Sequence, residues 1–144
     1  MSERRDPAGV AAVRGQWGED VAAETLRRDG YEIIVRNDHP VANDERLELD
    51  IVAYDPRTDA IVFVEVKQSA ARSPYQRRLR RINKRKRENL LRACTAWRRV
   101  NKWHGNYRFD VIEVYGVPGG GRPVIDHIPN VELFARRGRF VRWN

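Results

Sequence analysis

Acidic side chains and one lysine interrupt two otherwise apolar runs of the sequence. Glu48 and Asp50 stand two residues apart in the run LELDIVAY, and Glu65 and Lys67 stand two apart in the run IVFVEVK. Because successive side chains of a strand point to opposite faces, each pair is predicted to share a face, with its members roughly 6.5–7 Å apart. Only the turn at residues 56–60 separates the runs, which predicts two neighbouring strands of a hairpin.

Three carboxylates that converge with a lysine at a sheet edge suit a hard divalent cation. Mg²⁺ takes oxygen ligands and keeps several waters. Such a metal, or Mn²⁺ in its place, would stabilise negative charge on a phosphate and help to generate hydroxide, while the lysine orients or activates the attacking water. For the Glu65 and Lys67 pair alone, an exposed ion pair worth about 0–1 kcal/mol is the commoner interpretation. The acid on the neighbouring strand, Asp50, favours the metal site.

The charges of the chain are distributed unevenly. Its 28 basic and 20 acidic residues give a formal net charge of +8, but residues 72–102 hold thirteen Lys or Arg and one acid. A basic segment of this kind favours a polyanionic partner, above all nucleic acid, although a solvated helix face is the commoner origin of a charge run. The side chains that we predict to contact nucleic acid are Lys86, Arg77, Arg78, Arg81 and Arg85.

One of these residues, Lys86, interrupts the apolar stripe of a predicted helix. It lies four residues after Ile82 and four before Leu90, on the side of the helix that should pack against the core. Its side chain either extends to the edge of the core or reaches a phosphate near the acidic cluster.

The hydrophobic pattern predicts two helices and five strands. The helices are expected over residues 10–29 and 79–102, and the strands over residues 31–35, 47–54, 61–67, 109–115 and 124–128. Helices placed before and between strands predict an α/β domain with a mixed central sheet. A chain of 144 residues is typical of a single domain. We expect its core over about residues 10–130, followed by a basic C-terminal tail at residues 132–144.

Several classes of protein do not fit the composition. The single cysteine, Cys94, permits neither an internal disulfide nor a thiolate zinc cluster. No apolar run approaches the ~18 residues of a membrane span, and the charged N-terminus lacks the apolar core of a signal peptide. The expected location is therefore the cytoplasm.

The order and spacing of these motifs resemble a known group of nucleases. Asp50, followed after fourteen residues by Glu65-Val66-Lys67, resembles the core motif of the PD-(D/E)XK nuclease superfamily, and the order of elements resembles its restriction-endonuclease-like core. More narrowly, the chain resembles the YraN-like family of predicted endonucleases, which are related to archaeal Holliday junction resolvases. The likeness covers about residues 15–130 and includes Gly15, Gly18, Glu19, Ala22, Leu26, Gly30, Tyr31, Asn37, Glu48-Leu49-Asp50, Val62 to Lys67, Lys86 and Arg108 to Val111.

The resemblance implies a role for each matching site residue. Asp50 and Glu65 would be metal ligands, the backbone carbonyl of Val66 a further ligand, and Lys67 the catalytic lysine. Glu19 matches the first-helix acid that completes such sites in the resolvases, although it could equally be a solvated helix acid. Glu48 is a secondary candidate, which either serves the site or flanks it.

The expected activity is therefore metal-dependent hydrolysis of phosphodiester bonds in DNA, with branched and single-stranded DNA as candidate substrates. The alternative is a protein that keeps the nuclease fold and binds nucleic acid without cleaving it. An RNA substrate is a third, weaker possibility. The related resolvases work as dimers, so a homodimer is expected by analogy.

Overall fold

A computed structural model of the chain describes residues 7–72 and 82–133. In this part of the chain the elements follow the order helix, three strands, helix, two strands. They are α1 (Pro7–Arg28), β1 (Glu32–Asp38), β2 (Leu49–Asp55), β3 (Ala60–Ser69), α2 (Lys84–Val100), β4 (Asn106–Tyr115) and β5 (Val124–Ile128). The expected α/β architecture with a restriction-endonuclease-like order of elements is confirmed.

The sheet contains parallel and antiparallel neighbours. Its strands lie in the order β1-β2-β3-β4-β5. The pairs β1–β2, β2–β3 and β4–β5 are antiparallel, whereas β3 and β4 are parallel. Parallel neighbours need a crossover connection between their ends, and α2 lies in the segment that connects β3 to β4. The mixed sheet predicted from the sequence is therefore present.

The two helices cover opposite faces of the sheet. Alternate residues of β3 divide between two clusters: Phe63 packs with Leu90 and Trp97 of α2, whereas Val62 and Val64 belong to the cluster that contains Ala22, Ala23 and Leu26 of α1. Strand side chains alternate between faces, so a strand that is covered on both sides is apolar throughout. The long apolar run of β3 follows from this position.

Two element boundaries differ from the prediction in ways that affect the site. Helix α2 begins at Lys84, because Asn83 is extended (φ −64°, ψ 162°) and its side chain accepts the backbone N–H of Lys86 at 2.8 Å. This is an N-cap, and it places Lys86 in the first turn instead of the interior of a longer helix. Residues 79–81 of the predicted helix lie outside the described residues. Strand β2 begins at Leu49, so Glu48 precedes the strand.

The end of α1 follows the sequence pattern closely. Gly30 has a positive φ of 90°, and its N–H and that of Tyr31 donate to the carbonyls of Arg27 and Leu26. Glycine adopts this left-handed conformation without steric cost and is the usual residue after a helix end. Within the described residues, no helix is long and apolar enough to cross a membrane.

Candidate functional site

The candidate site lies where the ladder between β2 and β3 stops. The last Cα pair on this side is Ile51 with Val64, so the next residues, Asp50 and Glu65, leave the regular pairing. The Asp50 carboxylate replaces the lost ladder bond: its Oδ2 accepts the backbone N–H of Val66 at 2.9 Å. The predicted neighbours Asp50 and Glu65 are thus brought together at the end of the hairpin ladder.

The Glu65 carboxylate lies under the first turn of α2. Its side chain is 10% exposed, and its Oε1 lies 3.3 Å from Nζ of Lys86, whose side chain is 49% exposed. The position of Lys86 follows from the Asn83 cap, because the start of α2 sets which side chains of the first turn face the sheet. Lys86 therefore reaches the acids from the edge of the core, as the interruption of the apolar stripe predicted.

Burial and mutual repulsion disturb the two acids. Burial, followed by the Asp50 charge, raises the pKa of Glu65 from 4.5 to about 7, and Lys86 opposes this effect. Burial also raises the pKa of Asp50, while the Val66 N–H and Lys86 lower it. Desolvation disfavours the charged form of a carboxyl group, and a second nearby carboxylate adds to the effect. A bound cation would therefore stabilise the ionised forms of Asp50 and Glu65.

One oxygen of Glu65 has no donor within the described part of the chain. Among these residues no hydrogen-bond partner reaches the buried Oε2, and the neighbouring Asp50 charge raises the pKa of Glu65. Two neighbouring buried carboxylates favour a proton or a cation between them. The orphaned oxygen is the feature of the acid pair that fits a bound metal ion.

Glu19 lies beside this pair because α1 approaches β3 closely. A Cβ on Gly18 would lie 2.9 Å from Cβ of Gln68, so only glycine permits this contact between the helix and the strand. The next residue of α1, Glu19, has a side chain that is 16% exposed. Burial first, and then the Asp50 charge, raise the pKa of Glu19. Glu19 is therefore not the solvated helix acid that was the alternative prediction.

The remaining acid of the motif, Glu48, lies at the margin of the site. Its side chain is 42% exposed, and its Oε2 lies 3.9 Å from Nε2 of His39. The Glu48 charge contributes to the raised pKa values of Asp50 and Glu19. It therefore flanks the acid pair from the loop before β2.

Val66 and Lys67 follow Glu65 along β3. Lys67 is half-buried, and its Cα partner across the parallel pair is the buried acid Glu113. The lysine thus emerges from the sheet at the same end as the acid pair. The catalytic role that the resemblance implies for Lys67 stays a prediction.

The part of the basic segment that the structure describes lies on α2. Arg85 is exposed there, as are Arg92 and Arg99, which were not singled out from the sequence. Residues seven apart on a helix lie on nearly the same side, so these three form a row on the face opposite the core. Arg77, Arg78 and Arg81 lie outside the described residues.

Two aromatic residues flank the basic segment in the sequence, Tyr75 and Trp103, for which base stacking is an alternative to core packing. Trp103 packs its ring edge-on against Tyr54 and donates its indole N–H to the carbonyl of Asn106 at 2.8 Å. This is a packing role. Tyr75, the other candidate, lies outside the described residues.

The three acids do not form a ready-made metal cage. Within residues 7–72 and 82–133, no group of three or more His, Cys, Asp or Glu side chains is arranged to hold a metal ion. Mg²⁺ sites in nucleotide-processing proteins often use only one or two carboxylates, and waters and substrate phosphates complete the coordination. Asp50 and Glu65, with the orphaned oxygen of Glu65, fit that simpler arrangement.

A second polar network, which the sequence reasoning did not identify, is buried under the same sheet. The guanidinium of Arg108 contacts Asp110, Asp55 at 3.1 Å and the Tyr31 hydroxyl at 2.9 Å. Asp110 also accepts from the backbone N–H of Asn130, and His127 Nε2 lies 2.8 Å from its Oδ2. The only signal in the sequence was the stretch Arg108 to Val111, to which no role was assigned.

Comparison with known proteins places the chain in a family. The model of the family described as "Uncharacterised protein family UPF0102" matches residues 18–114. That stretch begins at Gly18 and includes every proposed metal ligand, Lys67 and Lys86.

Several curated relatives named "UPF0102 protein" align over most of their length. One from Trichlorobacter lovleyi is 38% identical over 117 residues, covering 81% of this chain and 87% of the relative. One from Nitratidesulfovibrio vulgaris is 39% identical over 118 residues, with 79% of each protein covered. One from Nocardia farcinica is 36% identical over 125 residues, covering 85% of this chain and 91% of the relative. The chain therefore belongs to the UPF0102 family, the YraN-like proteins that its motifs resemble.

Proposed function

We propose that this protein is a metal-dependent endonuclease that hydrolyses phosphodiester bonds in DNA. The observation that carries the proposal is the buried pair Asp50 and Glu65, with an oxygen of Glu65 that no donor in residues 7–72 and 82–133 satisfies. The exposed row of arginines on α2 supports nucleic acid as the substrate, and the motif's likeness to PD-(D/E)XK nucleases supports hydrolysis. Mg²⁺ is the expected ion, with Mn²⁺ as a substitute.

Each side chain of the site would have a distinct role. Asp50 and Glu65 would hold the ion, with the Val66 carbonyl as a further ligand. The ion would stabilise negative charge on the scissile phosphate and favour the formation of hydroxide. Lys67, at the same end of β3, would orient the attacking water. Lys86 now neutralises Glu65 at 3.3 Å, and it would turn to a phosphate oxygen once the ion neutralises Glu65.

The basic residues would hold the backbone of the substrate without reading its sequence. Phosphate contacts position a nucleic acid and carry no sequence information directly. Arg85 on α2, and Arg77, Arg78 and Arg81 before it, would supply such contacts. DNA is favoured over RNA by the resemblance to resolvases. By the same analogy the protein would act as a homodimer, and its proposed location is the cytoplasm.

A second candidate is a protein that binds nucleic acid through this fold without cleaving it. One observation favours it: the acids of the described residues include no group of three that could hold a metal ion. The two candidates require the same basic helix and differ only in what the acid pair does.

Cleavage of end-labelled DNA separates the two candidates. Linear, flapped and four-way substrates are incubated with Mg²⁺, Mn²⁺ or EDTA. We expect cleavage in Mn²⁺ that EDTA abolishes, and a loss of at least 100-fold in Glu65→Gln and Lys67→Ala. Glu24→Gln changes an exposed acid of α1 that pairs with Arg28, and it should cleave like the wild type. Equal cleavage by all variants would mean contamination and would end the enzyme proposal; binding without cleavage would establish the second candidate.

Salt dependence tests the nucleic-acid surface separately. The affinity for a labelled duplex is measured at several salt concentrations for the wild type, Arg85→Ala and Arg28→Ala. Each phosphate contact contributes about 0.9 to the slope of log K against log salt. We expect Arg85→Ala to reduce the slope by about 1, whereas Arg28 on α1, already paired with Glu24 at 3.2 Å, should leave it unchanged. Identical slopes would place the substrate elsewhere.

A further inference from the structure

A groove runs along the first half of α1, beside the end of β3. It has a volume of about 580 Å³, and Val10 on its wall is 42% exposed. Residues three and four apart share one side of a helix, so the groove continues the side of α1 that packs on the sheet at Gly18. The groove is lined by Pro7, Val10, Ala11, Arg14, Gly15 and Gln68.

Two glycines of α1 shape the groove. A Cβ on Gly15 would meet nothing within 4 Å, whereas a Cβ on Gly18 would lie 2.9 Å from Cβ of Gln68. The helix therefore touches the strand at Gly18 and leaves open space one turn earlier. Gln68 is also fixed on its other side, because its Nε2 donates to the carbonyl of Gly116 at 2.6 Å. The groove is thus formed before any ligand arrives.

The groove borders the proposed metal site. Gln68, which lines the groove, directly follows Lys67 in β3. Glu19 follows Gly15 by four residues, so it lies about 6 Å farther along the same side of the helix. A substrate that extends from the acids along α1 therefore enters this groove.

The lining of the groove suits a flat organic group that carries negative charge. Four of its six residues are apolar, and the polar ones are Arg14 and Gln68. Sites of about 300–1,000 Å³ with apolar walls and few polar groups are typical of organic ligands. None of the six residues is acidic, and an arginine side chain both binds phosphate and stacks on flat rings. A nucleotide has this combination of a flat base and an anionic phosphate.

The base of such a nucleotide must be unpaired. A base within a duplex is covered on both faces by its neighbours, and the cost of unstacking it is least where the strand is already single. Contact between a base and the apolar wall of the groove therefore selects single-stranded regions.

We propose that this groove binds an unpaired nucleotide next to the bond that is cleaved, with its base against Val10 and Gly15 and its phosphate on Arg14. The proposal rests on the proposed function, and it narrows the substrate to DNA with a single-stranded region. Duplex DNA would bind through the arginines of α2 without filling the groove.

The test is the affinity of the full chain for a short labelled single strand and for the blunt duplex of the same length, both measured in EDTA. Gly15→Leu fills the groove with a good helix former. We expect it to weaken single-strand binding about tenfold, which corresponds to about 60 Å² of apolar surface that is no longer buried. Duplex affinity should stay within about twofold of the wild type.

Two controls separate the groove from the rest of the helix. Ala12→Leu adds the same side chain at an exposed position of α1 that is not among the six lining residues, and it should bind like the wild type. A strand whose bases are replaced by abasic sites keeps its phosphates. The wild type should bind this strand as weakly as Gly15→Leu binds the normal one. Arg14→Ala should reduce the salt slope of single-strand binding by about 1.

Several outcomes would overturn the proposal. Single-strand affinity of Gly15→Leu within about twofold of the wild type, or an equal loss for the duplex, would show that no base enters the groove. A change in sedimentation from dimer to monomer in Gly15→Leu would assign the groove to a second copy of the chain. If Gly15→Leu does not fold, tight binding of the abasic strand by the wild type would still refute base contact.

Failure of the proposed function has a different signature. If the wild type prefers the single strand and Gly15→Leu loses that preference, but no DNA is cleaved in Mn²⁺, the groove stands and the nuclease activity falls. If the wild type cleaves DNA and Gly15→Leu cleaves single-stranded and duplex substrates in the same ratio as the wild type, only the groove proposal is lost.

Discussion

Replacing Glu65 with glutamine should stabilise the metal-free protein, although it destroys the proposed metal site. A carboxyl group whose pKa rises from 4.5 to about 7 on folding carries an unfavourable free energy of about 3 kcal/mol when ionised. Glutamine keeps the size of the side chain and removes the charge. Because Lys86 loses its partner, we expect a gain in unfolding free energy of about 1–3 kcal/mol at pH 8.

The stability difference between Glu65→Gln and the wild type depends on pH, and its direction follows from the pKa of Glu65 in the folded and unfolded states. Below pH 4.5 the carboxyl group is protonated in both folded and unfolded protein, and above pH 7 it is ionised in both. Between these values the unfolded state releases the proton first, so the wild type loses stability as the pH rises. The advantage of Glu65→Gln should therefore grow from near zero below pH 4.5 to its full size above pH 7.

Urea unfolding in EDTA at pH 4.5 and pH 8 measures this difference. Glu24→Gln, which removes an exposed acid of the same type, should change stability by less than about 0.5 kcal/mol at either pH. Mn²⁺ at 100 times its Kd should stabilise the wild type by about 2.7 kcal/mol and have little effect on Glu65→Gln. The reasoning is refuted if Glu65→Gln is the less stable protein at pH 8 in EDTA, or if its advantage is the same at both pH values.

Two further predictions concern packing and the buried network, and both are checked by urea unfolding. Gly18→Ala should lower the free energy of unfolding by about 1–3 kcal/mol, because the new Cβ would lie 2.9 Å from Cβ of Gln68. Gly15→Ala should raise it by about 0.5–1 kcal/mol, because a Cβ at Gly15 meets nothing within 4 Å. Equal effects of the two substitutions would contradict the close approach of α1 to β3. Arg108→Ala should lower the free energy of unfolding by about 3–5 kcal/mol, since it removes the buried guanidinium that contacts both Asp55 and Asp110 and leaves Asp55 with the exposed Arg57. A loss below about 1 kcal/mol would mean that other groups or water replace the guanidinium.

Much of the site was predictable because strands convert sequence spacing into geometry. The turn at residues 56–60 made the two acidic runs neighbours, and the structure brings Asp50 to the backbone of Val66. The interruption of the apolar stripe by Lys86 predicted a side chain at the edge of the core, which is where it contacts Glu65. Local periodicity was sufficient in both cases.

Other features depended on contacts that the periodicity of the sequence does not predict. The spacing placed Glu48 in a strand with Asp50, but the strand begins at Leu49, and Glu48 remains half-exposed. The extended conformation of Asn83 set the start of α2. No periodicity marked it, because a single side-chain hydrogen bond to the next turn decided where the helix begins.

The sequence by itself determined the order of elements, the apolar faces and the two-residue spacing of the acids, because these follow from local backbone geometry. Only the tertiary structure decided which charges meet. The approach of α1 at Gly18 brings Glu19 towards Asp50, and the parallel pairing of β3 with β4 sets Lys67 beside Glu113. Electrostatic effects depend on distances and burial between residues far apart in the chain, so the raised pKa of Glu65 follows only from the assembled sheet.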